Sequence, residues 1–195
     1  MTPASIADAL VVAAWIGLVA DSLYVTRGER ARGARPRGMG PASLAARVAL
    51  AALLLAGAAL LEHRTGGRLG FHLVAAGAGV VLAWAGVALH ARARRALGAR
   101  WSSAVAAPPG HAVVTHGPYA IVRHPLYLGI LLLAAGTVLA HTSAATICIA
   151  AGLAAGMARK IPAEERALRV ACGEAWTRYA AAVPALVPRL SRASR

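Results

Sequence analysis

Between two long apolar segments lies the stretch His111-Ala-Val-Val-Thr-His-Gly-Pro-Tyr-Ala-Ile-Val-Arg-His-Pro-Leu-Tyr-Leu-Gly129, which combines histidines, tyrosines, an arginine and two prolines. Gly117-Pro118 indicates a turn. Pro125 suits the first position of a helix, because its missing N–H would have no partner there in any case. Arg123 and His124 would then lie at a helix N-terminus, which favours an anion. The stretch therefore predicts either a small site for a polar, partly anionic ligand beside a membrane or a loop with interfacial tyrosines.

The composition excludes an ordinary soluble domain. Of the 195 residues, 58% are hydrophobic and 14% are charged, and the mean hydropathy is +0.60. These values predict an integral membrane protein built from helices. The net charge of +14 is carried mainly by arginines in short segments between apolar runs. This distribution favours contact with a lipid bilayer and argues against nucleic acid as a partner.

The two cysteines form no recognisable pattern. Cys148 falls in an apolar run, Cys172 falls in the C-terminal part, and neither has a second cysteine or a histidine at metal-ligand spacing. We therefore expect no disulfide between them and no metal site.

The apolar runs predict about five transmembrane helices. The first has no basic segment before it and no convincing cleavage site, so we interpret it as a retained helix and not as a signal peptide. A long polar connection, residues 90–124, separates the third helix from a hairpin of two shorter helices. The five predicted helices are 6–25, 44–61, 69–89, 126–140 and 144–157.

After Met157 the pattern changes. Pro162, followed by two glutamates, is typical of a helix start with acids in its first turn. Apolar side chains then recur at helical spacing opposite a charged face, until Pro184. This pattern predicts an amphipathic cytoplasmic helix lying against the membrane or over the motif loop. Its apolar positions are Leu168, Cys172, Ala175, Tyr179 and Val183.

We interpret residues 1–195 as a single membrane domain. Residues 1–89 hold three N-terminal helices, and residues 90–190 hold the motif loop, the hairpin and the amphipathic helix. Basic residues concentrate in 27–41, in 90–124 and after residue 158, whereas the turn at 62–68 has only Arg64 and Arg68. The positive-inside rule then predicts that the N-terminus is outside and that the motif loop and the C-terminus are cytoplasmic. The composition favours a bacterial inner membrane.

Three further features have a structural or a functional interpretation. Gly152-x-x-x-Gly156 predicts close approach of a second helix. Gly77-Ala-Gly79 looks like the opening of a dinucleotide-binding fingerprint, but it lies mid-helix and lacks the third glycine, so we reject that function. Asp21 near a membrane end is either solvated at the interface or held by a functional partner.

Several separate motifs follow one another along the second half of the chain. They are Leu97-Gly-Ala-Arg-Trp-Ser102, the Gly-Pro-Tyr-x-x-x-Arg-His-Pro-x-Tyr-x-Gly run from Gly117 to Gly129, Glu164-Glu165-x-x-Leu168, Gly173-x-x-Trp176-x-x-Tyr179 and Val183-Pro-x-x-Val-Pro188. In this order and spacing, over roughly residues 90–190, the chain resembles the isoprenylcysteine carboxyl methyltransferase and phospholipid methyltransferase family. Trp176 stands where that family usually has tyrosine.

The resemblance implies an all-α integral membrane enzyme that transfers a methyl group from S-adenosylmethionine (SAM), with a cytoplasmic cofactor loop and a C-terminal amphipathic helix. Its acceptor would be lipophilic: a prenylated cysteine carboxylate, an ethanolamine lipid headgroup, or a small thiol. The substrate-side arginine of the family falls on Lys160 here, and Arg159 is a neighbouring substitute. The cofactor-binding residues implied by the resemblance are His111, Ala112, Val113, Val114, Tyr119, His124, Pro125, Leu126, Tyr127 and Glu164.

The chemistry of the side chains also suits the binding of SAM, independently of the resemblance to the family. The helix N-terminus at Pro125, with His124, suits the carboxylate of SAM. Glu164 suits its ammonium or its ribose hydroxyls. Tyr119 and Tyr127 suit the adenine or the sulfonium.

Arg123 and Glu165 are the candidate catalytic residues, with Glu165 as the proton acceptor that an amine substrate would need. Two other functions remain as alternatives. One is a membrane reductase of related fold that uses NADPH, and the other is a membrane scaffold without catalytic activity. A larger basic pocket for phosphates would favour the reductase.

Overall fold

The structure is a computed structural model that describes residues 2–31, 72–98 and 113–188. Within these ranges the regular structure is all helical, as the composition predicts. In chain order the elements are α1 (Pro3–Ala31), α2 (Leu73–Leu97), a short 3₁₀ helix (Gly117–Ala120), α3 (Pro125–Ala140), α4 (Ala144–Cys172) and α5 (Glu174–Ala182).

Three of these helices are long and apolar enough to cross a membrane: Pro3–Asp21 within α1, Leu73–Leu97 and Ala144–Cys172. The protein is an all-α integral membrane protein. Helix α3 is apolar but has only 16 residues, a length of about 24 Å at 1.5 Å per residue. The predicted helix at 44–61 and the turn at 62–68 lie outside the described residues.

Helices α2 and α3 touch backbone to backbone through glycines. A Cβ on Gly79 would lie 2.6 Å from the carbonyl oxygen of Gly136, and a Cβ on Gly86 would lie 2.5 Å from that of Gly129. Each helix therefore presents two glycines, seven residues apart, to the other. Small residues at such spacing let transmembrane helices approach closely and gain dispersion contacts. Gly79 thus lies inside a helix–helix contact, which indicates a packing role and not a dinucleotide fingerprint.

Helix α1 packs against this pair, and its contacts give the relative directions of the three helices. Near its middle, the Trp15 indole donates to the Thr137 hydroxyl at 3.0 Å. Near the start of its apolar span Asp8 lies 3.0 Å from His141, and at the end of that span Asp21 accepts from Arg95 at 3.1 Å. Helices α1 and α2 are therefore parallel to each other and antiparallel to α3. Asp21 lies at the same end as the motif segment, and Arg95 is its partner.

Helix α2 extends beyond its predicted end. The polar connection was predicted to begin at His90, but the helix continues to Leu97 and buries both His90 and Arg94. Alanine, leucine and arginine between them are strong helix formers, so the helix propagates through the charges. It ends where Gly98 adopts a positive φ of 52°, a conformation that glycine adopts without strain.

The predicted helix start at Pro162 is wrong. Helix α4 runs without interruption from Ala144 to Cys172 and contains Pro162. The flanking residues favour a helix strongly enough to tolerate the loss of one backbone hydrogen bond. The break comes at Gly173, which has a φ of 56°.

The break at Gly173 changes which residues of the C-terminal helix are buried. The predicted apolar stripe included Ala175 and Tyr179. Tyr179 is buried as predicted, but Ala175 is exposed and Trp176 is buried in its place. A single helical register across residues 162–183 could not anticipate this, because the turn at Gly173 resets the phase of the helix that follows it.

The small-residue pair on α4 has no partner in the described part of the chain. A Cβ on Gly152 or Gly156 would meet nothing within 4 Å there. The close approach predicted from this pair is therefore not seen between the described helices, and the glycines of α2 and α3 take that role.

Replacing Gly79 with alanine should destabilise the fold. The new Cβ would lie 2.5 Å from the backbone nitrogen of Ala140, and a backbone atom gives way only if a helix moves. We expect a loss of about 1–3 kcal/mol, the usual cost of overpacking a core. Thermal unfolding of the detergent-purified protein, followed by circular dichroism, measures the change.

Gly77→Ala is the matched control, two residues away on the same helix. A Cβ there meets nothing within 4 Å, so the variant should be neutral or slightly more stable, because alanine favours the helix. Equal melting temperatures for the two variants would contradict the contact between α2 and α3.

Candidate active site

The N-terminus of α3 is joined to the segment that follows α5. The backbone N–H of Arg123 donates to the Pro184 carbonyl at 2.8 Å, and that of His124 donates to the Ala185 carbonyl at 3.0 Å. His124 occupies the N-cap position and Pro125 the first turn, as the sequence predicts. This pairing brings the C-terminal part of the described chain against the motif segment.

The Arg123 guanidinium connects three elements. Its Nε and Nη2 donate to Glu165 Oε1 on α4 at 3.0 and 2.8 Å. Its Nη1 donates to the carbonyls of Ala180 and Val183 at 2.7 and 2.6 Å, and so caps the end of α5. Five donors in a rigid fork suit arginine to this task, and lysine could not reproduce it.

Glu165 is the anion at this helix N-terminus. Its Oε1 also lies 3.0 Å from His124 Nε2, and the His124 side chain is only 4% exposed. A carboxylate that accepts hydrogen bonds from an arginine and lies beside a histidine, near the positive end of a helix dipole, is favoured in its ionised form. The anion-favouring position predicted at Arg123 and His124 is thus taken up, at least in part, by a carboxylate of the chain itself.

Tyr127 forms the second polar centre, one turn further along α3. Its hydroxyl donates to Glu164 Oε2 at 2.6 Å. Its ring stacks on His124 with centroids 5.7 Å apart, and Lys160 Nζ lies 5.4 Å from the ring centroid. Lys160 and Glu164 reach the same tyrosine because they are four residues apart on α4 and share a face. The face of the Tyr127 ring therefore attracts a cation.

Tyr119 lies in a small buried cluster with Val114 and Ala93 of α2, and Leu126 packs against this cluster. The Tyr179 hydroxyl donates to the Tyr119 carbonyl at 2.7 Å. Burial raises the pKa of Tyr179 to about 12. Burial, together with the nearby Glu164 charge, raises the pKa of Tyr119 even further. Both phenols therefore stay neutral at physiological pH and act as apolar walls with a hydrogen-bonding tip.

The structure brings most of the predicted site residues together. Arg159 does not join them: it is exposed and forms no hydrogen bond or ion pair with the described residues. His111 and Ala112 lie outside the described ranges, and Val113 is only half-buried. The residues that do meet around the start of α3 are Val114, Tyr119, Arg123, His124, Pro125, Leu126, Tyr127, Lys160, Glu164 and Glu165.

Sequence reasoning missed His90. It is buried on α2, its Nδ1 lies 3.2 Å from the Leu126 carbonyl, and its backbone lies against Gly129. Because a carbonyl only accepts, Nδ1 carries the proton in this contact. The available signal was its position four residues after Gly86, on the face of α2 that meets α3. His90 therefore contacts the first turn of α3 from the side of α2.

Two comparisons with known proteins give a match, and the first covers the part of the chain that holds most of these residues. Residues 79–170 match the model of the isoprenylcysteine carboxyl methyltransferase (ICMT) family. The chain is also similar to protein-S-isoprenylcysteine O-methyltransferase B of Arabidopsis thaliana, with 38% identity over 79 residues. That match covers 40% of this chain and 40% of the plant protein. The family resemblance is confirmed for the part of the chain that carries the glycine contact, the motif segment and both glutamates, while Trp176 and Tyr179 lie beyond the matched residues.

Arg123→Ala and Glu165→Gln should each destabilise the protein, and their effects should not add. Hydrogen bonds to charged groups contribute about 1.5–3 kcal/mol, and both variants remove the same contact. We expect a coupling free energy of about 0.5–3 kcal/mol from a double-mutant cycle in thermal unfolding. Arg166→Ala, next to Glu165 but exposed, is the control and should change little. Strict additivity would show that Arg123 and Glu165 do not interact in solution.

Tyr179→Phe should weaken the fold by about 1 kcal/mol, the usual net contribution of one hydrogen bond. It should also change the alkaline response. The folded-state pKa of Tyr179 is raised from 10.0 to about 12, so its contribution is complete below pH 10 and is lost as the pH rises through 12. The melting temperature of the variant should therefore fall less steeply than that of the wild type above pH 10. Identical slopes would mean that Tyr179 is not buried as described.

Proposed function

We propose that this chain is a SAM-dependent membrane methyltransferase that transfers a methyl group to a lipophilic acceptor, as in the ICMT family. The observation that carries the proposal is the convergence of Tyr127, Lys160 and Glu164 beside the Arg123–Glu165 pair. These residues come from two helices, and the family match extends across both. A membrane scaffold would have no need of so many polar side chains at one helix N-terminus.

The residues fit SAM, which carries a carboxylate, an ammonium, an adenosine and a sulfonium. The Tyr127 ring, over which Lys160 already lies at 5.4 Å, suits the sulfonium. Glu164 has one oxygen bound by the Tyr127 hydroxyl, and its other oxygen can accept from the ammonium or a ribose hydroxyl. The backbone N–H groups of Leu126 and Tyr127 in the first turn of α3 suit the carboxylate.

SAM, when bound, supplies an electrophilic methyl group. The protein has to align the acceptor with it and exclude water, which is worth up to about 7–11 kcal/mol when the alignment is good. The pairing of residues 123–124 with 184–185 provides the rigidity, because it joins the start of α3 to the C-terminal segment. Glu165 and Arg123 hold each other in this frame and position the start of α3.

The charges around the site favour an anionic acceptor group. Lys160 forms no ion pair with a described carboxylate, so its charge is available for a substrate carboxylate or thiolate. Glu165 is bound by Arg123 and near His124, which makes it a weak proton acceptor. A direct displacement on a carboxylate or thiolate needs no general base, whereas an amine acceptor does. We therefore favour carboxylate or thiolate over the ethanolamine headgroup.

The contacts of Arg123 argue against the NADPH-dependent alternative. Its guanidinium is used by Glu165 and two main-chain carbonyls. It is therefore not available to bind the additional phosphates of a dinucleotide.

We further propose that the active site opens at the cytoplasmic face of a bacterial inner membrane. Asp21, Arg95 and the start of α3 lie at the same end of the helices, and the basic segments predict that this end is cytoplasmic. A lipophilic acceptor would then enter laterally from the bilayer.

Calorimetric titration of the detergent-purified protein with SAM tests the proposal, with NADPH as a parallel ligand. We expect micromolar binding of SAM and no binding of NADPH. His124→Ala and Glu164→Ala should each weaken SAM binding about tenfold, or about 1.4 kcal/mol, because each removes a side chain from the Tyr127 centre.

The control is Glu174→Ala, an exposed acid in the first turn of α5, which should bind SAM as the wild type does. Melting temperatures distinguish lost binding from lost folding. Absence of SAM binding in a folded wild-type sample would refute the proposed function, and binding of NADPH instead would favour the reductase.

A further inference from the structure

Trp176 carries a buried hydrogen-bond donor without a partner. The residue is 3% exposed, and its indole Nε1 forms no hydrogen bond with the described part of the chain. Buried polar atoms in native proteins are nearly always paired. Leaving one unpaired opposes folding, so such an atom calls for an explanation outside the fold itself.

The position of Trp176 relates it to the candidate site. It lies three residues before Tyr179 on the buried face of α5, and the two rings meet edge to face with centroids 5.6 Å apart. The Tyr179 hydroxyl in turn holds the Tyr119 carbonyl. Tyr119 packs with Val114 in the cluster next to Leu126. One continuous wall of aromatic and apolar side chains therefore runs from Trp176 to the first turn of α3.

We propose that the Trp176 indole N–H binds a neutral acceptor atom of the adenosine part of the cofactor, a ring nitrogen or a ribose oxygen. This inference rests on the proposed function. An indole N–H donates only, so its partner must be an acceptor. The surrounding wall is apolar and aromatic, which suits a flat heteroaromatic ring and not a charged group.

A contact with the cofactor gives the donor of Trp176 a function. Phenylalanine would fill much of the same space without leaving an unpaired donor in the fold. Tryptophan at 176 carries such a donor, and a Tyr side chain also would. The donor therefore has a cost to the fold that binding of a ligand offsets.

The test replaces Trp176 with 3-benzothienylalanine, which keeps two fused rings and lacks the N–H. SAM affinity should fall about threefold to tenfold, the effect of losing one neutral hydrogen bond. The melting temperature without ligand should stay equal or rise, because an unpaired buried donor has been removed. Trp176→Phe and Trp176→Tyr form a second pair, in which the two replacement side chains have nearly the same size. The tyrosine variant should bind SAM more tightly than the phenylalanine variant, because only tyrosine carries a donor.

Competition with 5′-methylthioadenosine locates the contact. This compound keeps the adenosine and lacks the amino acid, so its affinity should fall by the same factor as that of SAM. Trp84→Phe, on the exposed side of α2, is the control and should leave both affinities unchanged.

Three results would overturn the inference. Unchanged SAM affinity in the benzothienyl variant would mean that the N–H does not contact the cofactor. A lower melting temperature without ligand would mean that it has a partner within the fold. Loss of SAM affinity without loss of 5′-methylthioadenosine affinity would place the contact elsewhere on SAM. If the wild type itself binds no SAM, the proposed function fails and this inference with it.

Discussion

The backbone contact between α2 and α3 is the constraint on which the rest of the structure depends. Without side chains at Gly79, Gly86, Gly129 and Gly136, the two helices approach until carbonyl oxygens lie where Cβ atoms would be. The contact fixes α3 along α2 to within a residue, because any shift would bring a side chain into the gap. It thereby sets His90 beneath the first turn of α3, where it contacts the Leu126 carbonyl. The glycine contact between α2 and α3 therefore fixes the position of the polar motif at the start of α3.

A second constraint closes the site from the other side. The Arg123 guanidinium donates to Glu165, 42 residues away, and to the carbonyls of Ala180 and Val183. The adjoining backbone pairs directly with residues 184 and 185. These contacts pair the backbone N–H groups that precede α3 with carbonyls that follow α5, and the guanidinium satisfies carbonyl acceptors at the end of α5. The polar network is therefore both the frame of the site and a large part of its charge.

The two glutamates differ in what holds them. Glu165 lies between an arginine and a histidine, whereas among the described residues Glu164 accepts from a tyrosine hydroxyl. Glu165 is therefore balanced by Arg123, whereas no cationic side chain of the described residues pairs with Glu164. Lys160, above the Tyr127 ring, retains positive charge in the same way. Under the proposed function, these separated charges beside an aromatic ring would suit a zwitterionic cofactor with a cationic centre and an acidic acceptor.

The sequence alone determined the membrane class, the helix beginning at Pro125 and the residues of the motif, because hydropathy, periodicity and proline geometry are local properties. It also indicated Glu164, Glu165 and Lys160 through the order of the motifs. Local patterns could not predict that α2 continues beyond His90 or that α4 continues through Pro162. In both places the neighbouring helix-forming residues outweighed the polar and proline signals. Nor could local patterns show which glycines pack: Gly152 and Gly156 had the familiar spacing, yet the contact formed at Gly79 and Gly136. Only the tertiary structure decided these pairings, because each depends on how two helices cross and not on either helix alone.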